Sequence, residues 1–347
     1  MPIFIQSAKQ ISVQMPLSDK WFDQPIFYEK QHVRSIDPEL SSYFSPLISR
    51  RMCLLQKRAV ILSQLTLKDA SIKTPDAIIC GTGTGFLENT EFFLHSILDN
   101  DEKFLQPTYF MQSTPNMLSS TVAIDIKCNG YNNTFVHRGT SFENVLLDAI
   151  LQFEQKRVTN VLAGGFDELT DEHFVFFSRT GSYNFEIGEN LKKRCFASEV
   201  AVSMLLEKNK TEKSICEIND VKLMHKPSYK QIQDALTSML TKSGCNLSEI
   251  DAVLTGLNNN TENDKIYHDI NKRFFSNIPI LQFKHLFGES LSSSAIGVYV
   301  ALTCLRKGYA PSILSAENDE DTNNIKRILI HNHYKNNSHS IILLSKV

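Results

Sequence analysis

A single tryptophan stands in 347 residues, and the seven cysteines form no C-x-x-C pair. An odd number of unpaired cysteines in a chain this long excludes a disulfide framework and a zinc ribbon, and reads as reduced thiols. No apolar stretch approaches ~20 residues, so no membrane span is expected. No basic block is present: Lys and Arg total 36 against 38 Asp and Glu, a formal net charge of −2. A near-neutral balance excludes strong attraction to nucleic acid or anionic lipid. The opening MPIFIQSAKQISVQ has no basic region followed by a continuous apolar stretch, so no signal peptide is expected and the location expected is cytoplasmic. GTGTG at Gly81–Gly85 lacks the G-x-G-x-x-G spacing and no clear acidic ribose partner follows. It reads as a tight turn after a strand, and no dinucleotide or other cofactor is implied.

What is there is ordinary for a globular protein: 42% hydrophobic and 21% charged residues, enough chain for one large domain or two medium ones. Short β-rich runs alternate with helical patterns, which points to α/β architecture. Leu40–Lys68 is helical in character, with a break at Pro46. Asp76–Cys80 and Thr134–His137 read as strands. Thr140–Gln155 reads as a helix, because Phe142, Val145, Leu146, Ala149 and Phe153 fall at i, i+3, i+4, i+7 and i+11. Leu147, Ile150 and Leu151 widen that face, so burial on most sides is expected. Val158–Ala163 reads as a buried strand stopped by Gly164 and Gly165. The second half repeats the grammar: strand at Ile215–Leu223, helix at Tyr229–Ser243, strand at Ala252–Thr255, a small-residue helix at Ser292–Arg306, and a closing pair at Arg327–His331 and Ser340–Leu344. The polar gap at Lys208–Lys213 divides residues 1–208 from 209–347. The acidic run Ala316–Asn324 reads as a solvated loop.

Several segments resemble β-ketoacyl synthases of the thiolase superfamily. NVLAGGFDEL (Asn160–Leu169) is similar to their "DVMLAGGAE" strand and turn, and FASEVAVSMLLEK (Phe196–Lys208) to "FVLGEGAGMLVLEE", with Glu199 on the acidic position. QSTPNMLSS (Gln112–Ser120), NGYNNTFVHRGTSFENVLLDAI (Asn129–Ile150), NNTENDK (Asn259–Lys265) and FKHLFGESLSSSAIGV (Phe283–Val298) resemble further family segments in family order. The resemblance implies an α/β thiolase-like αβαβα five-layered fold with two pseudo-symmetric halves.

The resemblance also implies a Cys-His-His catalytic set, and this chain departs from it. The nucleophilic cysteine falls on Gly139, the first histidine on Gly256 and the second on Glu289, while the lysine before it is retained as Lys284. The glycine-rich loop near the C-terminus falls near Tyr334–His339, which holds no glycine. A glycine cannot form a thioester, and Glu289 puts negative charge where the condensation must stabilise it. Non-condensing members of this kind include the chain-length factors of type II polyketide systems, and the NNTFVHRGTSFENVLLDA block most resembles those of aryl-polyene and flexirubin clusters. The expected partners are therefore an active β-ketoacyl synthase, or a second copy of this chain, and an acyl carrier protein. The dimer strand is expected over Asn133, Thr134, Phe135 and Val136. An unconventional acyltransferase acting on carrier-protein thioesters is the alternative.

Other features are weighed beside these. His137 and Arg138 either reach the vestigial pocket or dimer interface, or are strand-end residues paired with acids. Thr140 and Ser141 read as helix-start caps, since no positioned base is visible. Cys128 reads as a structural free thiol. His331, His333 and His339 read as a polar hairpin loop and not a metal site, because no carboxylate or cysteine lies close in sequence.

Overall fold

The computed structural model describes residues 1–183, 185, 194–316 and 320–347. Ten strands of the described residues form one mixed sheet: β1 (Ile3–Ile11), β2 (Ala77–Gly81), β3 (Tyr131–Phe135), β4 (Asn160–Asp167), β5 (Val200–Glu207), β6 (Cys216–His225), β7 (Ala252–Thr255), β8 (Ile280–Gln282), β9 (Arg327–Tyr334) and β10 (Ser338–Lys346). Their order across the sheet is β8-β7-β9-β10-β6-β1-β5-β4-β2-β3. Read outward from the centre, β1-β5-β4-β2-β3 is matched by β6-β10-β9-β7-β8. The pairings match as well: two antiparallel contacts and then two parallel ones on each side. The halves meet where Ile3–Ile5 pairs antiparallel with Cys216–Ile218.

The main helices are α1 (Leu54–Ala70), α2 (Leu87–Asp99), α3 (Pro107–Ser113), α4 (Met117–Asp125), α5 (Ser141–Glu154), α6 (Asp171–Arg179), α7 (Tyr229–Lys242), α8 (Thr261–Phe274) and α9 (Ser293–Lys307). Side chains alternate across a strand, so each half of the sheet needs cover on both faces. Ile79 faces a central cluster with α5 and α9, while its neighbours Ile78 and Cys80 face an outer cluster with α1 and α4. In the second half, Leu254 and Ile330 face the centre, and Val253 and Leu329 face α7 and α8. Three apolar clusters thus separate five layers: helices, half-sheet, central helices, half-sheet, helices. This is the thiolase-like αβαβα architecture with two pseudo-symmetric halves.

α5 buries Phe142, Val145, Leu146, Ala149 and Phe153 completely. Leu151 is 47% exposed, however, so the helix is not covered on that side. Gly164 and Gly165 do not stop their strand. β4 continues through both to Asp167, with Gly164 opposite Ser203 and Gly165 opposite Val202. They are glycines because the layers are close: a Cβ on Gly165 would stand 2.7 Å from Ala295 of α9. Pro46 opens a short helix, Pro46–Ser49, at its first position, where a proline's missing N–H costs nothing. The run Ala316–Asn324 lies partly outside the described residues, and Thr322–Asn323 pairs with Tyr309–Ala310.

Glu199 is tied into a buried ion network. Arg58 of α1, 1% exposed, makes a two-pronged contact with Asp37 at 2.6 and 2.9 Å and reaches Glu199 at 2.9 Å. Glu199 also accepts from the Ser35 backbone at 3.0 Å, which fixes the 35–37 segment against α1. Removing one member of a buried pair leaves the other uncompensated. Arg58→Ala is therefore expected to destabilise the fold by about 3–5 kcal/mol in denaturant unfolding. Arg58→Lys, which keeps one contact, should cost less.

Candidate functional site

In each half the chain leaves the ends of parallel strands into short turns, and these turns converge. Gly81 ends β2, Gly139 lies in a 3₁₀ turn (Arg138–Thr140) after β3, Gly256 follows β7, Lys284 follows β8, and Tyr334 ends β9. Clefts at the carboxyl ends of parallel strands are where α/β sheets place ligands. A cavity of about 530 Å³ lies here, lined among others by Gly256, Asn258, Asn263, Tyr267, Lys284, Glu289, His333 and Tyr334. Gly256, Glu289 and Lys284 are thus brought together. Gly139 stands behind Tyr334.

The expected catalytic positions are occupied by other chemistry. A Cβ on Gly139 would fall 2.6–2.7 Å from the Tyr334 ring and its Cβ. A Cβ on Gly256 would fall 2.3 Å from both Asn332 Oδ1 and the Tyr267 hydroxyl. A histidine does not fit there. Glu289 accepts from Lys284 Nζ at 2.6 Å and from Asn258 Nδ2 at 2.7 Å. Its backbone is held by Phe196 and Ser198, and Gly288 takes φ +78 with Ser198 against it, so that turn requires glycine. Burial by itself would lower the Lys284 ammonium, but the adjacent Glu289 outweighs it and holds the pKa above its ordinary value. The pair is neutral as a unit. It offers no surplus positive charge to an enolate or oxyanion.

The three histidines do not form the polar hairpin loop read from the sequence. His331 and His333 lie within β9, and His339 within β10, all buried. Their rings stack, with His331–His339 centroids at 5.6 Å and His333–His339 at 5.3 Å. The sequence signal for burial was there: i, i+2 spacing puts His331 and His333 on one face of a strand. His333, which lines the cavity, donates from Nε2 to the Asn263 carbonyl at 3.0 Å and accepts at Nδ1 from the Asn336 amide at 3.2 Å. Both nitrogens are committed and the ring is neutral. Burial pushes His333 down to about 3 and His339 to about 4. It pushes two carboxyls at the end of β4 the other way: Asp167, which accepts from Thr82 and the Gly83 amide, to about 6, and Glu168 to about 7.

The hydroxyls and the thiol among the remaining candidates are engaged by main-chain carbonyls. Ser141 Oγ lies 2.8 Å from the carbonyls of both Thr82 and Arg138, and Thr140 Oγ1 donates to the His137 carbonyl at 3.0 Å. Cys128 is buried, with its thiol toward the Pro75 carbonyl. His137 and Arg138 are exposed and do not line the cavity. Arg138 takes φ +50, so the sharp turn falls one residue before Gly139. β3 runs over Tyr131–Phe135, starting three residues before the strand read at Thr134–His137 and two before the expected dimer strand, and Val136 lies past its end. β3 pairs with β2 on one side and ends the sheet on the other.

The histidine stack sets a pH dependence. His333 and His339 are neutral in the fold but take up protons near pH 6.5 when unfolded, so their contribution is present above about 6.5 and is lost as pH falls toward 4 and 3. Asp167 and Glu168, raised in the fold, act in the opposite sense as pH rises from about 4 through 6 and 7. His339→Gln isolates the first effect. Its unfolding free energy should fall less steeply than wild type between pH 6.5 and 4, with a slope difference of up to about 1.4 kcal/mol per pH unit. Parallel profiles would contradict it.

No family model matches the sequence, and no curated protein matches it. Solved structures do. The chain superposes on the ishigamide ketosynthase/chain length factor with a TM-score of 0.83 at 16% identity, over 100% of this chain and 99% of that one. It superposes on a β-ketoacyl synthase from Burkholderia phymatum with a TM-score of 0.80 at 14% identity, over 99% of both chains. For a chain of the ketosynthase ApeO–chain length factor ApeC complex from Xenorhabdus doucetiae the values are 0.81 and 14%, over 99% of this chain and 98% of that one. Among the described residues no helix is long and apolar enough to cross a membrane. At these identities the likeness is one of fold, and it extends from end to end: this chain has the fold of the ketosynthases and chain length factors.

Proposed function

We propose that this chain is a non-condensing, chain-length-factor-type subunit that pairs with an active β-ketoacyl synthase in polyketide or fatty-acid-type biosynthesis, of the aryl-polyene or flexirubin kind. One observation carries the reading. At the residues that the resemblance aligns with the cysteine and the two histidines, Tyr334 crowds Gly139, Asn332 and Tyr267 crowd Gly256, and Glu289 is paired with Lys284, while the elbow, the turn at Arg138–Thr140 that leads into α5, remains. Losing a nucleophile alone costs ~10⁴–10⁶ in rate. Among the described residues no cysteine lines the cavity.

A partner is supported by the surface around β3. α4 packs on β3, α3 on α4, and α2 on α3. These elements expose Leu98, Phe110, Met111 and Ile124, all more than half exposed, and Val136 follows the strand. A bare sheet edge with apolar neighbours is the kind of surface that proteins cover. An acyl carrier protein would present the substrate to the partner, as the expected division of labour requires.

Incubated with acyl and malonyl carrier proteins, the isolated chain is expected to give neither a protein adduct nor a condensed product by mass spectrometry. Gly139→Cys alone should give no turnover either. An adduct on Cys128, Thr140 or Ser141 would refute this and favour an unconventional acyltransferase. Co-expressed with its ketosynthase, the chain should elute as one heterodimer and change the product length distribution. Val136→Asp is expected to weaken that association by about tenfold or more. Phe135 is a poorer probe, because it packs partly on the central core. Separate elution with unchanged ketosynthase products would overturn the pairing.

A further inference from the structure

We propose that Tyr334 is a plug that seals this subunit's own elbow from its cavity, so that no acyl chain entering the cavity reaches Gly139. The proposal rests on the ketosynthase-like reading only in naming an acyl chain as the excluded ligand. Tyr334 lines the cavity, whereas Gly139 lies behind it. Gly139 does not take positive φ, so its backbone does not demand glycine. What excludes a side chain there is Tyr334, and the conflict is with Cβ, Cγ and Cδ2, the base of the tyrosine and not its tip. Rotating the ring does not relieve it.

Nor does the hairpin have slack. Lys335 and Asn336 both take positive φ, 48° and 53°, in the tight turn that joins β9 to β10. Ser340 of β10 donates to the fully buried Glu143 of α5 at 2.8 Å, which fastens the hairpin to the helix that begins just beyond the elbow. Glycine at 139 and tyrosine at 334 are therefore one coupled feature. The first makes room for the second, and the second closes the passage that a nucleophile would need.

The test uses the whole chain and reads thiol access and melting, neither of which depends on a partner or on turnover. Gly139→Cys, alone and combined with Tyr334→Gly, is treated with iodoacetamide and mapped by peptide mass. The native thiols give a low background, since six are buried and Cys53 is half-buried. The double variant is expected to label at position 139 about tenfold or more faster than the single one, as access governs thiolate reactivity. Gly139→Ala should melt below wild type, and its cost should shrink in a Tyr334→Ala background, the mark of residues in contact. Equal labelling of the two cysteine variants, or an alanine cost that is the same in both backgrounds, overturns the plug. Failure of the heterodimer experiments would leave these readouts unaffected, so the two claims fail separately.

Discussion

A buried ammonium must have a counter-charge, and Lys284 is buried at the centre of the site. The Glu289 carboxylate at 2.6 Å meets that need, and Asn258 fills part of the remaining hydrogen-bonding capacity. Glu289 in turn is held by backbone bonds to Phe196 and Ser198, so the charge pair fastens the turn after α-helical Lys284–Phe287 to the segment that leads into β5. Two opposite charges that satisfy each other leave little field for a substrate, whereas a condensing site needs an unsatisfied one.

The neighbouring imidazoles follow the same logic. Three stacked histidines could have supplied acid–base chemistry, yet burial keeps His333 and His339 neutral, with His339 also lowering His333, and the nitrogens of His333 are spent on Asn263 and Asn336. Tyr267 completes the cluster. Its hydroxyl donates to Asn332 and accepts from the His333 amide, in the space that a side chain at 256 would need. The cavity wall carries a hydrogen-bond network, and such networks rigidify a site.

Much of this was legible in the sequence, and for physical reasons. The 3.6-residue spacing of Phe142 to Phe153 marked α5, and of the three positions singled out by the ordered islands, Gly256 and Glu289 line one cavity while Gly139 lies behind Tyr334. β1 was not read as a strand because Gln6, Ser7 and Gln10 interrupt its apolar pattern; all three are buried, Gln6 bonded to Ser214 far along the chain and Gln10 to the nearby Met15 carbonyl. α2, α3 and α8 were missed as well. α8 has a mean hydropathy dominated by charge, and only Tyr267, Ile270 and Asn271 of it are buried. Tyr334 was invisible as a partner of Gly139: nothing local to either residue reports that the turn after β9 lies over the turn after β3. The burial of His339 depends likewise on a pairing across a hairpin, and polarity alone pointed the other way.

The place of β1 in the sheet bears on how the protein is made. It sits between β5 and β6, so Ile5 pairs with Leu206 and with Cys216, about 200 residues further on. During synthesis β1 therefore emerges long before either neighbour, and its apolar residues Ile3, Ile5 and Ile11 have no sheet to join. Contacts this distant in sequence slow folding and prolong exposure of an unpaired strand. At ~5–20 residues per second, β1 waits on the order of ten seconds or more for its partners, an interval in which a ribosome-associated holdase has a strand to protect.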